Sequence, residues 1–309
     1  MQTALLAAAL LIGGLLALQA SVNLQLGKAV GTPYGASTLQ LGIATALLGT
    51  LGLATGTLGA INGIFDVPTW QLLGGLASPL YIMSGILLFP RLGALASVGL
   101  FVTGQMFASL SLDLFGWFGL DRKPFSPGIA LGALALLGGI VVIIKGQSTG
   151  TGTKMSKLAR TGWYALGIIA GAVLPIQGAI NAKLRTELDE PLAAATVSFA
   201  VATLTIAVVL AALWATKRTP SPQVKPLRTM PWWGWLGGAA AAVYVTGTFL
   251  LIPEIGAAVT VALTVTGQQL TSALIDHRGY FRLPQRQLNR TRQIGLGLLL
   301  VGAVAIQLF

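Results

Sequence analysis

The polar residues of this chain occur twice in the same order. Gln19, Asn23 and Pro33 return 158 positions later as Gln177, Asn181 and Pro191. Beyond a five-residue insertion the offset becomes 163, and Trp70, Tyr81, Pro90, Gln105, Ser109 and Asp113 return as Trp233, Tyr244, Pro253, Gln268, Ser272 and Asp276. Among Leu, Ala and Gly such matches would mean little. Among Gln, Asn, Asp, Pro and Trp they mark a duplicated unit, so the fold must be one that two similar copies build together.

Composition says what surrounds the two copies. Hydrophobic residues make up 54% of the chain and charged residues 9%, too few to cover a water-soluble surface, so the solvent is lipid. With no cysteine and a single histidine, His277, neither a disulfide nor a Cys/His metal site can form, and no cofactor is implied. Residues 4 to 22 resemble a leader, but no Lys or Arg precedes them and their counterpart around residues 162 to 182 is internal, so both read as retained spans.

A helix needs about 20 apolar residues to cross the hydrocarbon core. Ten stretches qualify: 3–26, 36–59, 70–89, 93–113, 126–144, 161–183, 192–214, 233–252, 255–276 and 293–309. That gives five per repeat, in an all-α integral membrane architecture. The Gly/Ser/Thr-rich run from Gly146 to Lys157 separates them. The expected organisation is a first repeat over 1–147, a cytoplasmic linker over 148–157 and a second repeat over 158–309.

Orientation follows the tendency of cytoplasmic loops to retain Lys and Arg. With the amino terminus outside, fifteen of the nineteen basic residues fall on the cytoplasmic side, leaving Arg122, Lys123, Lys183 and Arg185 outside. Both termini are then extracytoplasmic. The net charge of +11 is accounted for by topology and calls for no nucleic-acid partner. Because five is odd, the second repeat enters the membrane the opposite way from the first. The loops agree: the one between spans 2 and 3 has no Lys or Arg, whereas its counterpart has Lys217, Arg218, Lys225 and Arg228.

The runs LALQASVNLQLGKAVGTPYGA and LPIQGAINAKLRTELDEPLAA, with GTFLLIPEIGAAVTVALTVTGQQLTSALIDHRG and its weaker copy LLFPRLGALASVGLFVTGQMFASLSLDLFG, resemble the signatures of the YdcZ-type family of inner-membrane exporters in the drug/metabolite transporter superfamily. The resemblance covers almost the whole chain. It implies antiparallel five-helix halves, here fused, in the inner (plasma) membrane, and it implies a transporter class without a substrate. It maps Gln19, Asn23, Gln177 and Asn181 onto the first helices of the halves, and Gln105, Asp113, Gln268 and Asp276 onto the fourth.

Gln19 and Asn23 are four apart and share a helix face, as do Gln177 and Asn181. Their amides need partners that lipid cannot supply, so each meets another helix, water or a solute. Gln105, Ser109 and Asp113 fall at i, i+4 and i+8, as do Gln268, Ser272 and Asp276, giving each fourth helix a polar stripe. With the glutamines nearest the midplane and the aspartates near opposite faces, the two stripes suit the half-paths of an alternating-access carrier. Tyr81 and Tyr244 lie inside spans, where rings can wall an organic-solute cavity or simply pack. All twelve could instead be interhelical glue, and the aspartates, Asp276 beside Arg278, could be solvated helix ends. Pro79 and Pro175 are expected to kink their spans, and Gly52/Gly56, Gly128/Gly132 and Gly167/Gly171 have the spacing that lets helices approach closely.

The reading that results is a ten-span transporter of inverted repeats, binding a small organic solute near the midplane. Two repeats supply both halves, so one chain in lipid suffices. A non-transporting membrane scaffold or assembly partner is the alternative. No nucleophile, base and orienting group recur in an enzyme-like arrangement.

Overall fold

A computed structural model describes residues 2–119, 122, 124–146, 156–255 and 257–308. Among them the chain forms ten α-helices and no strand: α1 Gln2–Val30, α2 Pro33–Ala54, α3 Ser78–Leu92, α4 Ala94–Phe115, α5 Pro127–Lys145, α6 Lys157–Leu188, α7 Pro191–Ala215, α8 Leu236–Ile255, α9 Ala257–Arg278 and α10 Arg290–Leu308. Local chemistry sets their ends. Pro33, Pro127 and Pro191 each occupy a first helical position, after extended Thr32, Ser126 and Glu190, where proline's missing N–H costs nothing. Ser126 Oγ accepts from Ile129 N at 3.1 Å as a side-chain cap. Gly93, at φ 84°, alone separates α3 from α4, a backbone turn that favours glycine.

Among the described residues, seven segments are long and apolar enough to cross a membrane: Thr3–Val30, Pro33–Ala54, Thr69–Leu92, Ala94–Phe115, Pro127–Lys145, Lys157–Leu188 and Pro191–Ala215. Helices α8, α9 and α10 are not among them. Two of these carry the polar load, with Gln268, Gln269 and Asp276 on α9 and Arg290, Arg292 and Gln293 on α10. Large apolar side chains such as Leu131, Leu134, Leu204, Val208 and Val301 are exposed, a surface suited to lipid.

Two sequence expectations are corrected. Pro79 lies in the first turn of α3, which follows a 3₁₀ stretch over Thr69–Ala77, so it opens a helix instead of kinking one; Pro175 is inside α6 as expected. Gly56 is a left-handed helix end with open space around it, while Gly52 faces Leu58 of the same segment, so that pair is not a helix–helix contact. The linker expected over 148–157 lies outside the described residues from 148 to 155; α6 begins at Lys157, capped by Ser156 Oγ accepting from Ala159 N at 3.2 Å.

Contacts divide the chain into two compact units, each drawing on both repeats. One comprises Met1–Leu18, Leu87–Pro175 and Leu250–Phe309; the other comprises Gln19–Ile86 and Ile176–Phe249.

In the first unit α5 packs on α10 and α4 on α9. The α5–α10 seam is made of glycines: a Cβ on Gly139 would come within 2.7 Å of Gly295 O, and one on Gly295 within 2.8 Å of Gly139 O. Near-backbone packing of this kind substitutes for the hydrophobic drive that is missing in lipid. Two further contacts exchange the repeats. A Cβ on Gly13 would fall on Thr264 O and one on Gly267 on Leu10 O; their repeat equivalents do the same, Gly171 against Phe101 O and Gly104 against Ile168 O.

In the second unit α2 packs on α7, and Thr45 Oγ1 lies 2.9 Å from Thr203 Oγ1, residues 158 apart and so equivalent in the repeats. Beside them Leu184, Leu188, Ala193, Ala194 and Val197 form an apolar core against Ile61, Ile64 and Leu72.

Candidate functional site: two amide clusters and a buried ion pair

The second unit gathers the amides of the first helices. On α6, Gln177 Nε2 donates to Ser78 Oγ at 2.8 Å, and Ser78 Oγ is 3.0 Å from Gln177 Oε1. One turn on, Asn181 Nδ2 donates to Ser198 Oγ of α7 at 3.0 Å, and Gln177 Nε2 is 3.5 Å from that oxygen. On α1, Asn23 Nδ2 donates to Gln40 Oε1 of α2 at 3.2 Å. Gln40 and Ser198 are 158 apart, so the two clusters occupy equivalent places.

Both asparagines use their remaining oxygen alike. A Cβ on Gly237 would fall on Asn23 Oδ1, and one on Gly74, 163 positions earlier, would fall on Asn181 Oδ1. In each case the glycine backbone faces an oxygen with no hydrogen-bond partner among the described residues, leaving a weak Cα–H contact available only where the backbone comes this close. Tyr81 is buried and Tyr244 half-buried in the same unit.

The first unit holds the fourth-helix stripes. Gln105 is buried on α4 with Nε2 unpartnered among the described residues, and Ser109 and Asp113 below it are half-buried. On α9, Gln268, Ser272 and Asp276 are all buried, and Ser272 Oγ donates to Gln269 O at 2.8 Å.

Asp276 differs most from its expected setting. It is not a solvated helix end, and its partner is not Arg278. Its carboxylate accepts from Ala94 N at 2.6 Å and Leu95 N at 3.2 Å, at the start of α4, and from Arg292 Nη2 at 2.6 Å; acid and base are each 1% exposed. A helix amino terminus and a guanidinium together stabilise the charged carboxylate. Arg292 Nη1 donates to Arg286 O at 2.8 Å and Gln287 O at 3.0 Å. Arg286 in turn donates to Pro90 O and Arg91 O at 3.4 and 3.2 Å. Burial pulls the Arg286 pKa below its usual value; the Asp276 charge opposes that shift and the Arg292 charge adds to it. Asn289 Nδ2 ties the same loop to Gly146 O at the end of α5, at 2.8 Å. A Cβ on Gly93 would come within 2.8 Å of Asp276 Oδ2, so this knot needs a glycine there.

Sequence reasoning missed Gln40, Ser78, Ser198, Gln269 and the role of Arg292. Gln269 is wholly buried with neither amide atom partnered among the described residues, and repeat 1 has Met106 in its place. A comparison of equivalent positions that differ in polarity, as opposed to those that agree, would have found it.

A family model described as "Putative inner membrane exporter, YdcZ" matches residues 4–142 and again 162–305. The chain belongs to that family. This member carries two copies of the family unit in one polypeptide, and it is a multi-pass inner-membrane protein of an exporter family. Comparison with curated proteins finds no match. A solved structure described as "Crystal structure of protein" is similar in fold, with a TM-score of 0.55 and 21% identity over 97% of this chain and 96% of its own.

Proposed function

We propose that this protein is a secondary-type exporter that moves a small organic solute by alternating access, with ten spans in two antiparallel halves and polar contacts supplied by both repeats. Family membership supports the class. The exchanged glycine contacts, Gly13 on Thr264 against Gly171 on Phe101, support halves related by a two-fold axis, as an inverted repeat requires.

The observation that carries the reading is the set of buried amide atoms without partners among the described residues, on Gln19, Gln40, Gln105 and Gln269. Each unmet group costs about 1–3 kcal/mol, which glue between helices does not explain, because glue consists of bonds that are made. A scaffold would be more stable without them. The Asp276–Arg292 knot supports a latch role for Asp276. Gln105 and Gln268 are proposed solute contacts, and a single chain is the proposed working unit.

The test is flux in proteoliposomes loaded with a mixture of small organic solutes, followed by mass spectrometry. Protein-dependent loss of specific solutes is expected, and Gln105→Leu and Gln268→Leu should abolish it while melting within a few degrees of the parent. Flux that persists in both variants, or no protein-dependent flux for any solute, favours the scaffold.

The orientation, with both termini extracytoplasmic, rests on the basic residues and has its own test. The chain has no cysteine, so single cysteines can be labelled on intact cells. Asp66→Cys should react with an impermeant maleimide and Ser156→Cys should be protected; the reverse pattern overturns the topology.

A further inference from the structure

The two amide clusters of the second unit occupy equivalent places, yet only one of them is closed. In the α6 cluster, Gln177 bonds Ser78, and Ser198 accepts from Asn181 while lying within reach of Gln177. The Gln177 amide is thus fully engaged. In the α1 cluster both serines are replaced. Gln40 stands where Ser198 does, and Ala241, buried on α8, stands where Ser78 does. Alanine offers Gln19 no hydroxyl, and Gln19 Oε1 and Gln40 Nε2 are left buried without a partner among the described residues. The difference does not come from the asparagines, since Asn23 and Asn181 face Gly237 and Gly74 alike.

The open pair has a definite chemical shape. The Asn23–Gln40 bond uses one nitrogen and one oxygen, so turning both amides over still leaves one N–H₂ and one carbonyl oxygen unpaired. Gln19, one turn away on α1, adds an acceptor, or a donor if it too is turned. A group that presents a donor and an acceptor on one edge completes the set in either arrangement. A primary amide or lactam has that edge. A carboxylate has only acceptors and an ammonium only donors, so neither matches an edge that needs one of each, and either would bring a charge out of water.

We propose that Gln19 and Gln40 bind the neutral amide-like edge of the transported solute, and that the α6 cluster, whose glutamine is engaged through both amide atoms by Ser78, binds none. This inference rests on the exporter reading and gives it a substrate class: uncharged molecules bearing an amide, imide or lactam.

The test uses three probes that share one ring and differ in the head group: benzamide, benzoate and benzylammonium. With the purified full-length protein, benzamide should raise the melting temperature in a saturable way, as expected of a ligand that binds only the folded state, and the two ions should not. Ala241→Ser restores the missing hydroxyl, and Gln40→Ser copies the closed cluster. Each should weaken benzamide at least tenfold, whereas Thr55→Ala, at an exposed helix end outside both clusters, should leave its affinity unchanged. No benzamide shift, an equal shift with either ion, or unaltered affinity in both Ala241→Ser and Gln40→Ser overturns the proposal. Counterflow of labelled benzamide and benzylammonium in proteoliposomes separates the two levels. Benzamide that binds without moving sinks the exporter reading and leaves the site standing; benzylammonium that moves while benzamide does not sinks the site and leaves the exporter.

Discussion

Arg292→Leu should be among the most destabilising single changes in this protein, lowering the apparent melting temperature well beyond any surface substitution. The leucine fills much of the volume, but the Asp276 carboxylate, 1% exposed, is left with two backbone N–H donors and no cation. Breaking a buried ion pair by removing one partner costs about 3–5 kcal/mol, because the remaining charge stays desolvated. Asp276→Asn should be nearly as damaging, since the buried Arg292 charge would keep only neutral acceptors, the carbonyls of Arg286 and Gln287 and the introduced amide oxygen. The double variant Asp276→Asn/Arg292→Gln removes both charges and should recover part of the loss. Thermal melting in detergent measures all three. If the single variants melt like the parent, or the double change equals the sum of the singles, the pair is not the tie that its geometry suggests.

Gly104→Ala and Gly267→Ala should have effects of similar size from a single methyl group. In both, the new Cβ would clash with a carbonyl oxygen of the facing helix, Ile168 O or Leu10 O. Neither a backbone oxygen nor a Cβ has a rotamer to escape into, so the helices must separate along their contact. Overpacking of this kind costs about 1–3 kcal/mol or more, and in lipid no hydrophobic gain offsets lost packing. Gly178→Ala is the internal control. Nothing lies within 4 Å of its Cβ, and alanine is favoured over glycine in a helix by about 1 kcal/mol, so this variant should melt at or above the parent. Equal melting of all three would refute the packing argument.

The repeated polar residues made the duplication legible, because chance does not return Gln, Asn, Asp and Trp at one offset. Span limits were legible to a few residues: 192–214 falls within α7, Pro191–Ala215, whereas 36–59 starts three residues late, because Pro33 and not the first apolar run opens α2. The candidate residues Gln105 and Gln268 were legible because identical types occupy equivalent places. What escaped was of the opposite kind: Gln40 against Ser198, Ala241 against Ser78 and Gln269 against Met106. There the position persists and the chemistry diverges, so a search for agreement passes over it. The partner of Asp276 escaped for a geometric reason. Sequence proximity favours Arg278, but Gly279, in the left-handed conformation, ends α9, and the chain returns to bring Arg292 onto the carboxylate. The divided set of amides and stripes was also illegible, since helix faces say which residues share a side and not which neighbours close around them.

The exchanged glycine contacts also bear on how the protein is made. The oxygen that Gly13 fits belongs to Thr264, which leaves the ribosome roughly 250 residues later; at about 5–20 residues per second, that interval is on the order of 10–50 s. Through that time α1 resides in the bilayer without the surface it was shaped for, and its early glycines are covered only by lipid. Helix α6 meets no such delay, because Phe101, the partner of Gly171, has already been synthesised. Two copies of one unit therefore have unequal histories within a single round of translation: the first half waits in the membrane as an incomplete template, and the second assembles on it as it emerges.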